Sequence, residues 1–370
     1  MELPERYEVR CLLTRSNRFP APGGIEYVGV RSVRDLMPSG PLGELATGLI
    51  GDRYVRADEA FAWADIVHAE ELSFWFAAEA ARQRRRHGFR LVQTVWETLP
   101  MLDAFRNRQA RANRRLVLEQ TDLFLAATER AALALELEGV PESRIAVCSP
   151  GIDTARFSAA RAAPASEHVI VSPGRLVWEK GHQDVIRALA LLHRGIVRGE
   201  DPQPMRPRLQ IIGSGPELGR LRAHAEELGV GGAVEIGAVP YDQMPSRFAA
   251  ASAMVLATQA MAAAGRHPFD IPRVFWEEQF GMVLAEAMAA GLAIVTTTSG
   301  AVPEVLSGAG AQLVAPGDWI GIARALAAGP LRRPPGERVS YPPELVSRYS
   351  TSAAADRLAA AYDRLTGPAG

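Results

Sequence analysis

Six short β-branched or apolar runs punctuate the second half of the chain: HVIVS (168–172), RLQIIG (208–213), AVEIG (233–237), AMVLA (253–257), LAIVTTT (292–298) and AQLVA (311–315). Helical patterns lie between them. Parallel neighbours in a sheet need a crossover long enough to hold a helix, so this alternation predicts parallel sheet built from βαβ units. The helix faces are readable: Leu218, Leu221, Ala225 and Leu228 form one apolar stripe, and Gly229 stops the run. The first half repeats the pattern with VRCLLT (9–14), DIVHA (65–69), RLVQTV (90–95) and DLFLAAT (122–128) as strands, and helices over 71–86 and 103–120. The Gly- and Pro-rich stretch from Phe19 to Arg56 receives no assignment.

At 370 residues the chain is too long for one ordinary core and suits two domains. The small, aperiodic segment ARAAPASE (160–167) reads as the linker, dividing residues 1–160 from 161–343. Residues 344–370 carry a last helix pattern, Val346 to Leu365, which either stays with the second domain or crosses back to the first. The fold class expected is α/β, with two Rossmann-like, doubly wound parallel sheets.

Composition excludes several classes. A net charge of −1 gives no global reason to bind nucleic acid. Two cysteines, Cys11 and Cys148, make no disulfide framework and no paired metal-ligand spacing, which suits a reducing cytoplasm. No run reaches the roughly 18 apolar residues of a spanning helix, and MELPERYEVR lacks the order of a signal peptide. A soluble protein, at most peripheral to the inner face of a membrane, is expected.

Three constellations carry chemistry. In VSPGRLVWEKGHQDVIRALALL (171–192) a strand ends at Ser172, Gly174 turns the chain and Gly181 precedes a helix. Arg175 and Lys180 therefore sit in a strand-to-helix loop, where two cations beside helix-terminal N–H groups suit a diphosphate. In IIGSGPELGRL, Gly213, Gly215 and Gly219 follow a strand, with Glu235 near the end of the next. This imitates a dinucleotide fingerprint, although a close-packed turn explains it as well. In WEEQFGMVLAEAMAAG (276–291) a helix begins at Phe280-Gly281 between two carboxylates, Glu278 just before its N-terminus and Glu286 about a turn and a half inside. Read alone, each constellation also has a plain meaning: solvated cations, a tight turn, a dipole-favoured glutamate.

Together these residues resemble a known family. Gly174-Arg175, Lys180-Gly181 and the Glu-x-Phe-Gly of 278–281 with a second Glu eight residues on look like the donor site of retaining glycosyltransferases of family 4, with the GT-B fold. SPGIDTARF (149–157) resembles that family's crossing between domains, and the segment with Tyr349 and Tyr362 its closing helix. The likeness is nearly continuous from about Thr121 to Leu365. It implies two domains facing a cleft, with a nucleotide sugar as donor in the second and an acceptor, whether glycan, lipid-linked sugar or small metabolite, in the first. It implies that Arg175 and Lys180 bind the diphosphate and stabilise the leaving group. Glu278 would hold sugar hydroxyls, the backbone of Phe280, Gly281, Met282 and Val283 would contact sugar and phosphate, and Glu286 would bind the ribose diol. Gly174, Gly213 and Gly215 complete the donor site, with no metal and no other cofactor.

The first half departs from the family. VRCLLT resembles the second strand of relatives, and IEYVGVRSV after Gly23-Gly24 reads as strand, so either the first βα unit is missing or its loop is rebuilt. Trp96, followed by Glu97, stands where relatives often carry a His. His68, at the end of a strand, reads as a satisfied buried histidine. Arg82, Arg84, Arg85 and Arg86, and then Arg106, Arg108, Arg111, Arg114 and Arg115, read as solvated faces, with a surface for an anionic acceptor or membrane headgroups as the alternative. Two rival functions stand beside glycosyl transfer: a nicotinamide-dependent oxidoreductase using the Gly213–Gly219 turn, and a non-catalytic nucleotide-sugar-binding protein.

Overall fold

The structure is a computed structural model that describes residues 3–15, 17, 24–102, 108–160, 166–199, 203–264 and 273–367. Gly23, Arg106, the first five residues of the 103–120 helix, the middle of the 160–167 linker and residues 265–272 lie outside it.

The chain forms two compact units. The first comprises residues Met1–Ser149, Ala264–Arg273 and Ala354–Gly370, and the second Pro150–Ala263 and Val274–Ala353.

In the first unit β1 (Arg10–Thr14), β2 (Glu26–Ser32) and β3 (Tyr54–Val55) make one small sheet, with β1 and β2 parallel and β2 and β3 antiparallel. The Ile25–Val33 stretch does hold a strand. A second sheet is parallel throughout, in the order β4 (Ile66–Glu70), β5 (Arg90–Val95), β6 (Leu123–Ala126), β7 (Ile145–Val147). Of its inner strands β6 is buried along its whole length and β5 at four of its six residues, as suits parallel strands covered on both faces. One face packs on the alanine-rich side of the helix Trp75–His87, where Ala77, Ala78 and Ala81 are buried with Phe124 and Val117. The other meets the final helix, Thr351–Thr366, whose Leu358, Tyr362 and Leu365 close over Val92, Leu123 and Leu125.

Many of the arginines neighbouring this core have partners within the unit. Arg84 makes two hydrogen bonds to Asp122 at 2.8 and 2.6 Å, Arg86 reaches Asp58 at 2.6 Å and Arg114 reaches Glu138 at 2.6 Å. His68 is satisfied, Nδ1 lying 2.7 Å from Tyr362 Oη and Nε2 2.7 Å from Thr94 Oγ1; the residue keeps an exposed surface, while burial of the ring lowers its pKa to about 4. Among the described residues no helix is long and apolar enough to cross a membrane.

The second unit holds β8 (Val169–Pro173), β9 (Arg208–Ile212), β10 (Val234–Gly237), β11 (Ala253–Leu256), β12 (Met261–Ala264), β13 (Arg273–Trp276), β14 (Ala293–Thr297) and β15 (Gln312–Val314), save for Ala264 and Arg273, which fall to the first. Six of these form one sheet in the order β10-β9-β8-β11-β14-β15, and each pairing with a given register is parallel. Numbered within the sheet, that order is 3-2-1-4-5-6, the doubly wound arrangement. The chain winds outward from β8 in one direction and returns to begin at β11 in the other. The loops after these two neighbours consequently diverge, leaving a crevice at their carboxyl ends. β12 and β13 form a separate two-stranded pair.

Candidate active site

Two loops meet at the switch point. The first follows β8 and ends at Gly181, which caps the helix His182–His193 in a left-handed conformation (φ 72°). A Cβ on Gly181 would lie 1.8 Å from the Ala257 carbonyl oxygen, so only glycine lets this loop rest on the end of β11. The second runs from Trp276 to Gly281, where the helix Met282–Ala289 begins.

Lys180 and Glu278 join the loops. Lys180 Nζ donates to Glu278 Oε2 at 2.6 Å, and Thr258 Oγ1 donates to the same oxygen at 3.1 Å. The ammonium also lies 5.1 Å from the centre of the Trp276 ring. Glu278 is fixed from its backbone as well: its N–H donates to Ser299 Oγ at 3.1 Å, its carbonyl accepts from Ala301 N–H at 2.9 Å, and Ser299 Oγ donates to Gln259 O at 2.8 Å. The carboxylate is thus positioned by residues after β11 and β14. Arg175 is exposed and makes no side-chain ion pair or hydrogen bond among the described residues.

The loop carrying Arg175 is pinned by a residue the sequence did not single out. His182, 1% exposed, bridges Ser172 Oγ (2.9 Å from Nδ1) and the Arg175 carbonyl (3.2 Å from Nε2). Burial lowers its pKa to about 4, so near neutral pH the ring is uncharged, with Nε2–H donating to the carbonyl and Nδ1 accepting from the serine. An unfolded histidine titrates near 6.5. Between these values the unfolded chain binds a proton that the folded protein does not, so stability is full above 6.5 and falls as pH drops towards 4. His182→Gln keeps a donor for Arg175 O and removes the titration. Acid unfolding over this window is expected to be shallower in the variant, by up to about 3 kcal/mol. Melting curves against pH read the difference, and parallel curves for the two proteins would show that His182 does not behave this way.

Phe280 sends its ring inward, 2% exposed and edge-on to Tyr349 at 5.4 Å. That anchor leaves the backbone of Phe280 and Gly281 at the helix start, where the first N–H groups have no intrahelical acceptor. Met282 and Val283 are half-buried. Glu286 is 4% exposed and accepts a hydrogen bond at Oε1 from Tyr241 Oη, 2.7 Å away. Burial raises its pKa, and the Tyr241 hydrogen bond partly offsets the rise.

The glycines of the next turn have a packing explanation. A Cβ on Gly213 would stand 1.9 Å from the Gly174 carbonyl oxygen and one on Gly215 2.4 Å from that of Leu176. The Leu176 N–H donates to Ser214 O at 2.9 Å, so the loops after β8 and β9 lie backbone on backbone. Glu235 is exposed on β10 and accepts from Gln210 Nε2 at 3.2 Å. The dinucleotide fingerprint is therefore accounted for without a ribose.

In the first unit Glu97 does not stand free. Its Oε1 accepts the N–H groups of Thr98 and Leu99, both at 3.0 Å, and Trp96 N–H donates to Glu71 Oε1 at 2.9 Å. These carboxylates hold the loop after β5.

Besides His182, the sequence reading passed over Thr258, Trp276, Ser299 and Tyr241. Thr258 and Ser299 closely follow β11 and β14, so their place after a strand was the available signal. Tyr241 had none, because its partner lies 45 residues away.

Known proteins resemble the chain in both halves. The family described as "Glycosyl transferases group 1" matches residues 153–328, and "Glycosyltransferase Family 4" matches residues 1–156. A Mycobacterium tuberculosis protein described as a GDP-mannose-dependent alpha-(1-6)-phosphatidylinositol monomannoside mannosyltransferase is 28% identical over 223 residues, covering 57% of this chain and 51% of the relative. A D-inositol 3-phosphate glycosyltransferase of Corynebacterium jeikeium is 28% identical over 279 residues, covering 69% and 60%. The chain thus spans between about half and three-fifths of the length of these curated relatives. Among solved structures, Anabaena HepE in complex with UDP-glucose superposes with a TM-score of 0.64 at 17% identity, covering 92% of this chain and 86% of that one. Its likeness establishes the fold, GT-B. A matching glycosyltransferase family on each half, with a doubly wound sheet carrying the Lys180–Glu278 site, supports a group 1 glycosyltransferase of the GT-B fold.

Proposed function

We propose that this protein transfers a sugar from a nucleotide-diphosphate sugar to an acceptor, with retention at the anomeric carbon. The observation that carries the reading is the meeting of Lys180 with Glu278, 2.6 Å apart, at the switch point beside the start of the helix Met282–Ala289. A cation, a carboxylate and the N-terminus of a helix in that order suit a phosphate joined to a sugar. The naming of GDP-mannose for one relative and the UDP-glucose bound to HepE support a donor of this class.

In this mechanism the bond from the anomeric carbon to the β-phosphate oxygen breaks as the acceptor oxygen bonds to the same face. Negative charge grows on the departing diphosphate, where Arg175, Lys180 and the helix N-terminus stabilise it. The leaving phosphate oxygen takes the acceptor proton, so no side-chain base is required. Glu278 accepts hydrogen bonds from sugar hydroxyls, and Glu286 from the ribose diol. The three positive elements supply the charge stabilisation a metal ion would otherwise provide.

The test is a thermal-shift screen against UDP, GDP and ADP and their sugars, followed by assay of donor consumption with and without EDTA. Stabilisation by one nucleotide series, and turnover that survives chelation, are expected. Absence of any nucleotide shift would overturn the donor assignment. Binding without transfer to any acceptor or to water would favour a non-catalytic role, and turnover abolished by EDTA and restored by magnesium would overturn the metal-free mechanism.

A further inference from the structure

Glu286 is the residue on which the ribose assignment rests, and in this structure its carboxylate is covered. It is 4% exposed, whereas Tyr241, which donates to it, is 54% exposed. A surface side chain from the turn after β10 thus reaches inward with its hydroxyl to a buried carboxylate. The Tyr241 ring is seated lightly. Arg156 holds its guanidinium carbon 5.5 Å from the ring centre, and the Phe157 ring lies 6.3 Å away at 63°. Swinging the tyrosine outward costs one hydrogen bond and little buried area.

A ribose offers two adjacent hydroxyl donors, and a carboxylate can accept both. Oε1 of Glu286 already accepts one hydroxyl, so a ribose diol that takes both carboxylate oxygens must displace the Tyr241 hydroxyl. We propose that Tyr241 is a displaceable surrogate for a ribose hydroxyl: it satisfies Glu286 in the empty protein and leaves when a nucleoside enters. The inference rests on the reading of Glu286 as the ribose-binding group. Tyr241 then acts through Glu286 as a gating residue for the nucleoside, and its departure subtracts from donor affinity. Ligands with a ribose meet this cost, and ligands without one do not.

Titration calorimetry with UDP, GDP and ADP, and competition with inorganic pyrophosphate, test it on wild type and Tyr241→Phe. The phenylalanine keeps the ring and removes the hydroxyl that competes. Affinity for the nucleoside diphosphate that wild type prefers is expected to rise roughly tenfold, the scale of one charge-assisted hydrogen bond, while pyrophosphate affinity stays unchanged. Arg156→Ala, which unseats the ring, should shift affinity the same way by less and serves if the phenylalanine variant does not fold. Unchanged or weaker nucleoside diphosphate binding in the variants, or an equal gain for pyrophosphate, would overturn the surrogate role alone. If no nucleoside diphosphate binds wild type or variant, the underlying ribose assignment falls with it.

Discussion

Arg175→Ala and Lys180→Ala are each expected to lower kcat/KM by about tenfold to over a hundredfold, the equivalent of about 1.5–3 kcal/mol for a charge-assisted contact made in the transition state. The structure separates the two in stability. Arg175 is exposed and without a side-chain partner among the described residues, so its loss should leave the melting temperature nearly unchanged. Lys180 neutralises a Glu278 side chain that is 8% exposed, and removing one partner of such a pair leaves a buried charge. A destabilisation of order 3 kcal/mol, or roughly 6–12 °C for a unit of this size, should accompany the loss of activity. Lys180→Ala combined with Glu278→Gln removes the orphaned charge, so much of the stability should return while activity does not. Kinetics and melting curves on the three variants decide it. Full activity in both single variants would remove the diphosphate assignment.

Glu286→Gln and Glu278→Gln should fail differently. A ribose contact is alike in ground and transition states, so Glu286→Gln is expected mainly to raise the donor KM, by about tenfold or more. A contact to the sugar changes as the anomeric centre changes shape, so Glu278→Gln is expected mainly to lower kcat. Folding supplies a control. Burial holds the Glu286 pKa above the ordinary range, so the charged form weakens the fold as pH rises through that pKa. Glutamine should therefore match or exceed wild-type stability at neutral pH and lose the advantage in acid. Steady-state kinetics with varied donor reads the split. A kcat effect confined to Glu286→Gln and a KM effect confined to Glu278→Gln would reverse the roles.

The second unit was legible because its strands are short β-branched runs bounded by turn residues. HVIVS, RLQIIG, AMVLA and LAIVTTT each lie within a residue or two of an observed strand. Arg175, Lys180 and Glu278 could be named for the same reason, since each sits between a strand end and a helix start, whereas Glu286, inside the helix, was legible only as the second Glu of its motif. Pairing was not legible. Nothing local says that Lys180 meets Glu278, 98 residues on, because that contact depends on β8 and β11 being neighbours in the sheet. Likewise, the sequence of Ile145–Val147 is too short to register as a strand; its place is set by pairing with β6. The closing helix pattern from Val346 is broken in the structure into Pro343–Ser347 and Thr351–Thr366, with Ile152 N–H bonded to Tyr349 O and Thr351 N–H to Ile152 O across the gap. Periodicity alone could not anticipate that break.

The return of the last helix to the first unit has a consequence for synthesis. Residues Val92, Leu123 and Leu125 leave the ribosome before the second unit is made, yet the side chains that cover them, Leu358, Tyr362 and Leu365, are translated only after it. Tyr7 waits equally long for Asp363, its hydrogen-bond partner at 2.6 Å. The first unit begins to emerge before the second but can complete its packing only after the second has been translated. While the second unit is being translated, an apolar face of the nascent first unit stands open, a target for chaperones and a route to aggregation.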